Sequence, residues 1–176
     1  MNEVVRSRWA SAKFNNDFFR IETYSGYSSP IRDPLGVQHL LQPDASDQEL
    51  GSALLDALAH SRFVLGVPRN DVRVHPEVTY DMSLYDYELS RQRYAEWIRK
   101  LMERFGYKTK RALFKNMKSC NIESKLGTIS ISPSHHEKLE AWSGKGLTES
   151  DDVHLPDTSP AEEVGAALRL AFSRCT

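Results

Sequence analysis

"SCNIESKLGTISIS", residues 119–132, contains two short strand-forming runs, SCNIES and TISIS, set around Lys125-Leu126-Gly127. Two such runs separated by a glycine-bearing turn read as a β-hairpin, and a hairpin commits at least part of the sheet to antiparallel pairing. Further strand signals are EVVRSRW at 3–9, FFRIETY at 18–24 and DVRVHPEV at 71–78. Residues 112–118 fit either element, because Leu113 with Met117 has helical spacing while Leu113, Lys115 and Met117 alternate as a strand does.

Three helices frame these strands. In SDQELGSALLDALAHSR, Ser46 and Glu49 form a capping box, and Leu50, Ala53, Leu54, Ala57 and Leu58 recur on one helical face. In SPAEEVGAALRLAFSRC, Ser159 is the cap, Pro160 the first helical residue and Glu162 the closing acid of a second box, ahead of Val164, Ala167, Leu168, Ala171 and Phe172. The two helices match without a gap from Glu49 to Leu54 and from Glu163 to Leu168, with Ala57 opposite Ala171. Duplication is one reading of the match; the other is a shared need for Ala and Gly where helices pack closely. A third helix is expected from Ser83 to Phe105, stopped by Gly106, with Tyr87, Tyr94, Trp97, Ile98, Leu101, Met102 and Phe105 turned to the core. Residues 25–36 read as a surface loop anchored by Tyr27 and Ile31, and residues 143–160 as a long mobile one. Strands interspersed with helices give an α+β fold with a mixed or mainly antiparallel sheet, in one domain over 1–176.

A net charge of −1 names no polyanionic or polycationic partner, and 40% hydrophobic residues exclude a disordered chain. The opening residues lack the apolar stretch of a secretory signal, and Cys120 and Cys175 are far apart, so the chain is expected to be cytoplasmic and reduced. No P-loop, dinucleotide fingerprint, nucleophile elbow or spaced metal-ligand motif is present; His135 and His136 adjoin but lack partners at ligand spacing. Cys120 reads as a nucleophile with a histidine nearby or as an inert thiol buried in its strand. No catalytic residue, metal or cofactor is expected.

Charge is nonetheless segregated. Over 99–118, eight basic residues against the single acid Glu103 leave a net of seven positive charges, whereas 147–163 holds six acids and no Lys or Arg. A nucleic-acid binder would pair the basic run with a recognition motif, which is missing.

The segments GYKTKRALFKNMKSCNIES at 106–124, TISISPSHHEKLEAWSG at 128–144 and SPAEEVGAALRLAFSRC at 159–175, with GSALLDALAHSRF and FFRIETYSGY upstream, resemble the contact-dependent growth inhibition immunity proteins, the CdiI family. The resemblance implies a cytoplasmic, non-enzymatic protein that binds and neutralises the C-terminal toxin domain of a large exported effector, commonly a nuclease, with no nucleic-acid or membrane partner. A nuclease is typically basic around its phosphate cleft, which gives the acidic segment a use. Glu149, Asp151, Asp152 and Asp157 are therefore the expected partner-binding residues. Glu162 and Glu163 are set apart, since a helix N-terminus accounts for them. The alternative is a nucleic-acid-associated regulator using 99–118; a small hydrolase using His135 or His136 is a third reading.

Overall fold

A computed structural model describes residues 4–176. The chain runs through β1 (Arg8–Phe14), β2 (Phe19–Gly26), β3 (Pro30–Arg32), β4 (Gln38–Leu41), α1 (Asp47–Ala59), β5 (Val64–Leu65) and β6 (Thr79–Tyr80). It continues with α2 (Tyr87–Phe105), α3 (Lys110–Phe114), β7 (Lys118–Lys125), β8 (Thr128–Pro133), β9 (His135–Lys138), β10 (Ala141–Ser143), β11 (Val153–Pro156) and α4 (Ala161–Ser173). The main sheet is antiparallel in the order β11-β8-β7-β1-β2-β3, with β4 on the same outer edge of β2 as β3. The small β9-β10 pair is antiparallel and the β5-β6 pair parallel. This is the expected α+β arrangement with a mainly antiparallel sheet.

The quoted hairpin is β7-β8, paired from Cys120↔Pro133 to Lys125↔Thr128. Its tip is Leu126-Gly127, at φ 50° and 80°. Two successive left-handed residues give the primed turn whose twist matches that of the strands. Gly127 takes that conformation freely, whereas Leu126 pays for its Cβ there and projects 80% exposed.

Strand alternation divides the sheet into two unlike faces. Ala10, Ala12, Phe19, Ile21, Cys120, Ile122, Ile129 and Ile131 form one, an apolar face covered by α1 and α4. The reciprocal registers Ala12↔Ile21, Ala12↔Cys120 and Ile122↔Ile131 keep these residues aligned across four strands. The opposite face carries Ser11, Lys13, Arg20, Glu22 and Tyr24. Arg20 and Glu22, each about 2% exposed, are paired, and Arg32 Nε lies 2.8 Å from the same Glu22 carboxylate. Trp97 of α2 lays its ring 3.5 Å from the Arg20 guanidinium, a cation–π contact that replaces lost hydration. Phe18, Trp97, Ile98, Leu101, Leu113, Phe114 and Met117 complete this second core.

The matched helices meet each other directly. A Cβ on Gly51 would lie 1.6 Å from the Ala161 carbonyl oxygen, and one on Gly165 would lie 1.8 Å from that of Asp47. Each glycine thus admits the first turn of the other helix, which is a sufficient physical reason for the ELGSAL/EVGAAL match. Arg169 Nε bonds Asp47 Oδ1 at 2.6 Å across the same crossing.

Both bonds of the Ser46–Glu49 capping box form, at 3.1 and 2.7 Å. The second box does not. Pro160 is itself the N-cap, extended at ψ 155°, and no side chain caps α4; its first turn is instead packed on α1. The third helix begins at Tyr87 and not Ser83, because Asp86 at ψ 110° breaks the backbone and caps Leu89 N–H at 2.9 Å, leaving Met82–Tyr85 as a separate 3-10 turn. Gly106 ends α2 in the left-handed conformation, as expected.

Other expectations change. The strand placed at 3–9 starts at Arg8; its Glu3 lies outside the described residues. No strand forms at 71–78, where Pro76 lacks a donor and Val72 stands 45% exposed with no sheet to bury against. Residues 112–118 divide, α3 taking the first part and β7 starting at Lys118. Strand β8 runs through Pro133, and after Ser134 the chain enters β9 at His135. The 143–160 segment contains a 3-10 turn at Glu149–Asp151 and the edge strand β11, paired with β8 from Val153↔Ile131 to Pro156↔Thr128.

Substituting Ala for Gly51 or Gly165 is expected to destabilise the protein by about 2 kcal/mol or more despite Ala's higher helix propensity, read as a lowered denaturation midpoint. Leu126→Asn at the hairpin tip is expected to stabilise by about 0.5 kcal/mol. Glu22→Ala, which leaves Arg20 buried and Arg32 half-buried without their anion, should cost about 3–5 kcal/mol; an unchanged midpoint would show that solvent reaches those arginines.

Candidate partner-binding surface

The four acids expected to face a partner do not form one patch. Glu149, Asp151 and Asp152 cluster before β11, while Asp157 follows it, roughly 13 Å away by the length of that strand. Asp151 accepts the Thr148 N–H at 2.8 Å. Arg174, just past α4, donates to the Asp151 and Asp152 carbonyls at 3.0 and 3.4 Å, so the C-terminus of α4 holds the acidic cluster in place. The segment is consequently a fixed edge of the sheet and not a free loop. Asp157 N–H bonds the Gly127 carbonyl at 2.9 Å, and its surroundings are Arg6, Arg8 and Lys125. The negative field there is locally offset. Glu149, Asp152 and Asp157 take part in no ion pair among the described residues.

The basic segment is partly neutralised by acids outside the sequence window or on the same helix. Arg99 reaches Glu96 and Glu103, both at 2.8 Å, Lys100 lies 3.8 Å from Glu96, and Lys110 lies 3.7 Å from Glu140. Arg111 and Lys115 border a shallow hollow with His136, Lys138 and one acid, Glu137. This is an open basic surface. Among the described residues it presents neither an open aromatic stacking platform nor a helix free to enter a groove, since the buried side of α2 is turned to the second core.

The histidines are dispersed in role. His135 Nδ1 pairs with Thr176 Oγ1 at 2.8 Å, while His136 Nε2 meets the Leu139 carbonyl at 2.9 Å and its ring stacks on Trp142. His154 Nδ1 sits 2.9 Å from Ser130 Oγ, and the backbone N–H of His75 donates to the Tyr27 hydroxyl. Among the described residues no group of three His, Cys, Asp or Glu side chains is placed to hold a metal ion. Cys120 is fully buried on the helix-facing side of β7, and burial pushes its thiol well above the ordinary range.

A further surface went unread in the sequence. Between β3 and the start of α2 lies a cleft of about 390 Å³, floored by Tyr24 and walled by Arg32, Tyr85, Tyr87, Arg93 and Tyr94. Asp33, buried in the 25–36 segment, fixes one wall. Its carboxylate takes two bonds from Arg62, at 2.7 and 3.0 Å, while Arg62 also bonds Asp81 at 3.0 Å ahead of the 3-10 turn. Burial works to raise the Asp33 pKa, and its bonds to Arg62 and Ser25 outweigh it, holding the carboxyl below its ordinary value. Tyr27, buried and stacked on Phe63 with centroids 5.0 Å apart, anchors the same segment as expected. Burial carries the Tyr24 hydroxyl up to about 12, so it stays a neutral hydrogen-bonding group. Tyr87, expected in the core, is 79% exposed, and Met82, in the 3-10 turn ahead of α2, 71%. Arg93 makes one long contact, 3.5 Å to the Ser83 carbonyl, and no ion pair among the described residues. The available signal was the tyrosine-rich run from Tyr80 to Tyr94, of which helical periodicity assigned Tyr87 and Tyr94 to the core.

Similarity to other proteins adds to this geometry. The family model described as CDI immunity protein matches residues 8–175. The immunity protein CdiI-YPIII of Yersinia pseudotuberculosis serotype O:3 (strain YPIII) is 58% identical over 175 residues, covering 99% of both chains. A solved CdiA-CT/CdiI toxin and immunity complex from Yersinia pseudotuberculosis contains a chain 57% identical, with TM-score 0.96, covering 99% of this chain and 100% of its own. A protein of unknown function from Neisseria meningitidis is 41% identical with TM-score 0.82, covering 100% of this chain and 99% of its own. Through a family match that spans nearly its whole length and a relative alike from end to end, the chain belongs to the CDI immunity protein family.

Proposed function

We propose that this immunity protein acts in the cytoplasm by binding the C-terminal toxin domain of its cognate contact-dependent growth inhibition effector, a nuclease, and that it neutralises the toxin by occlusion and not by catalysis. The observation that carries the reading is the TM-score of 0.96 to a chain solved within a toxin and immunity complex. The chemistry agrees. Among the described residues His154 meets the Ser130 hydroxyl and His135 that of Thr176 in exposed contacts, with no carboxylate bonded to either ring to orient it, and Cys120 is buried without a histidine partner, whereas a protein that works by contact needs only a rigid, chemically distinctive surface.

Two surfaces suit different parts of that task. Glu149, Asp151, Asp152 and, more weakly, Asp157 supply the negative field that speeds encounter with a basic nuclease. The cleft offers tyrosine and arginine, the residues that most often dominate binding energy once buried against a partner. The nucleic-acid reading of 99–118 is disfavoured by the pairing of Arg99, Lys100 and Lys110 with acids.

Co-expression with the toxin domain encoded beside the gene should restore growth, and the purified pair should form a complex in which nuclease activity is lost. Replacing Glu149, Asp151, Asp152 and Asp157 together by Asn or Ser should slow association and flatten its salt dependence. Replacing Tyr87 and Arg93 by Ala should instead speed dissociation by about tenfold or more. Changing His135 and His136 to Ala should leave protection intact. Protection without a complex, or an activity of the immunity protein lost with those histidines, would overturn the occlusion reading.

A further inference from the structure

Cys120 and Cys175, 55 residues apart in sequence, meet at the end of the fold with their sulfurs 3.7 Å apart. The two thiols live in different environments. Cys120 is fully buried in β7, while Cys175 lies two residues beyond α4, partly open to solvent. The hollow that exposes Cys175 is bordered by Lys115, Lys118 and His136. The two sulfurs share a hydrogen bond in which either can donate, and the Cys175 thiol also lies 3.4 Å from the Ser119 carbonyl; with Cys120 as donor and Lys118 nearby, against the opposing effect of burial, Cys175 is brought down to about 7. An accessible thiol in a basic pocket beside a buried partner is the arrangement of an oxidisable cysteine with its resolving cysteine.

We propose that Cys175 and Cys120 form a reversible oxidation site for hydroperoxides, closing to an intrachain disulfide. The Cys175 thiolate attacks the outer oxygen of a hydroperoxide; the S–O bond forms, the O–O bond breaks, and the alkoxide or hydroxide leaves to take up a proton. Cys175 is thereby oxidised to a sulfenic acid and the peroxide reduced. The Cys120 sulfur then attacks the Cys175 sulfur, its proton leaving with the displaced hydroxyl as water. In sum two thiols and one hydrogen peroxide give one disulfide and two waters.

Closing the remaining distance falls to the short segment after α4. Its backbone is held by the bonds from Thr176 N–H to Ser134 O at 3.2 Å and from His136 N–H to Thr176 O at 2.9 Å. The disulfide ties this segment to β7 and closes a long loop of chain, which restricts the unfolded state. In a reducing compartment the bond is transient, formed under peroxide and reopened by dithiols.

The test is peroxide treatment of the folded full-length protein, followed by alkylation under denaturing conditions and mass spectrometry. The parent should lose about 2 Da, with both cysteines protected from alkylation, and dithiothreitol should restore both thiols. Cys120→Ser should arrest at the sulfenic acid, trapped by dimedone on Cys175, and Cys175→Ser should leave Cys120 a free thiol at the same peroxide dose. The oxidised parent should also melt about 5 °C or more above the reduced form. Overoxidation of Cys175 in the parent with Cys120 still alkylated, or a disulfide only between two molecules, would overturn the proposal.

Discussion

Gly51 and Gly165 let two helices touch backbone to backbone, and the placement of the rest follows from that contact. With no side chain between them at the crossing, α1 and α4 lie side by side on one sheet face and roof eight apolar strand residues. Any larger residue at either position would separate the helices and open the seam above Ala10, Ala12 and Cys120. The Arg169–Asp47 pair clasps the same crossing from outside. Because the crossing fixes α4, it also fixes what lies at the ends of that helix: Arg174 on the carbonyls of the acidic cluster, and Cys175 against β7.

The second sheet face follows a different physical plan. Two arginines share one buried carboxylate, so it carries an excess of positive charge, stabilised by Trp97 on Arg20 and by Trp142 near Lys13. Burial pulls Lys13 down to about 8, against the attraction of Glu22, and its ammonium donates to Ser119 Oγ at 3.1 Å and Ser11 Oγ at 3.5 Å. Such a face is costly to assemble and its members are not interchangeable. It gives α2 a definite seat, and the start of α2 builds one wall of the tyrosine cleft.

Much of this was legible in the sequence. The 3.6-residue stripes and the Ser46–Glu49 box specified α1, the stripe of α4 was equally plain, and Gly106 marked the end of α2. The β7-β8 hairpin could be read from its turn, because short-range backbone preference dictates such features whatever surrounds them. The charge segregation was also visible, and the family resemblance rested on segments that now form the two cores.

Only the tertiary structure decided the rest, since each remaining feature depends on a partner distant in the chain. DVRVHPEV alternates like a strand yet finds no sheet edge, while VHLP, a weaker pattern, becomes β11 because β8 offers it one. Tyr87 has the helical spacing of a core residue but stands outside, because Asp86 restarts the helix and turns its first residue away from the core. The six acids of 147–163 look continuous in sequence, but strand β11 carries Asp157 away from the others and toward Arg6 and Arg8. Cys120 and Cys175 appear unrelated until α4 brings them within reach. Sequence by itself determined the local elements, through backbone preference and periodic burial; which of them meet, and which surfaces they leave open, was decided by the long-range packing that α1 and α4 impose.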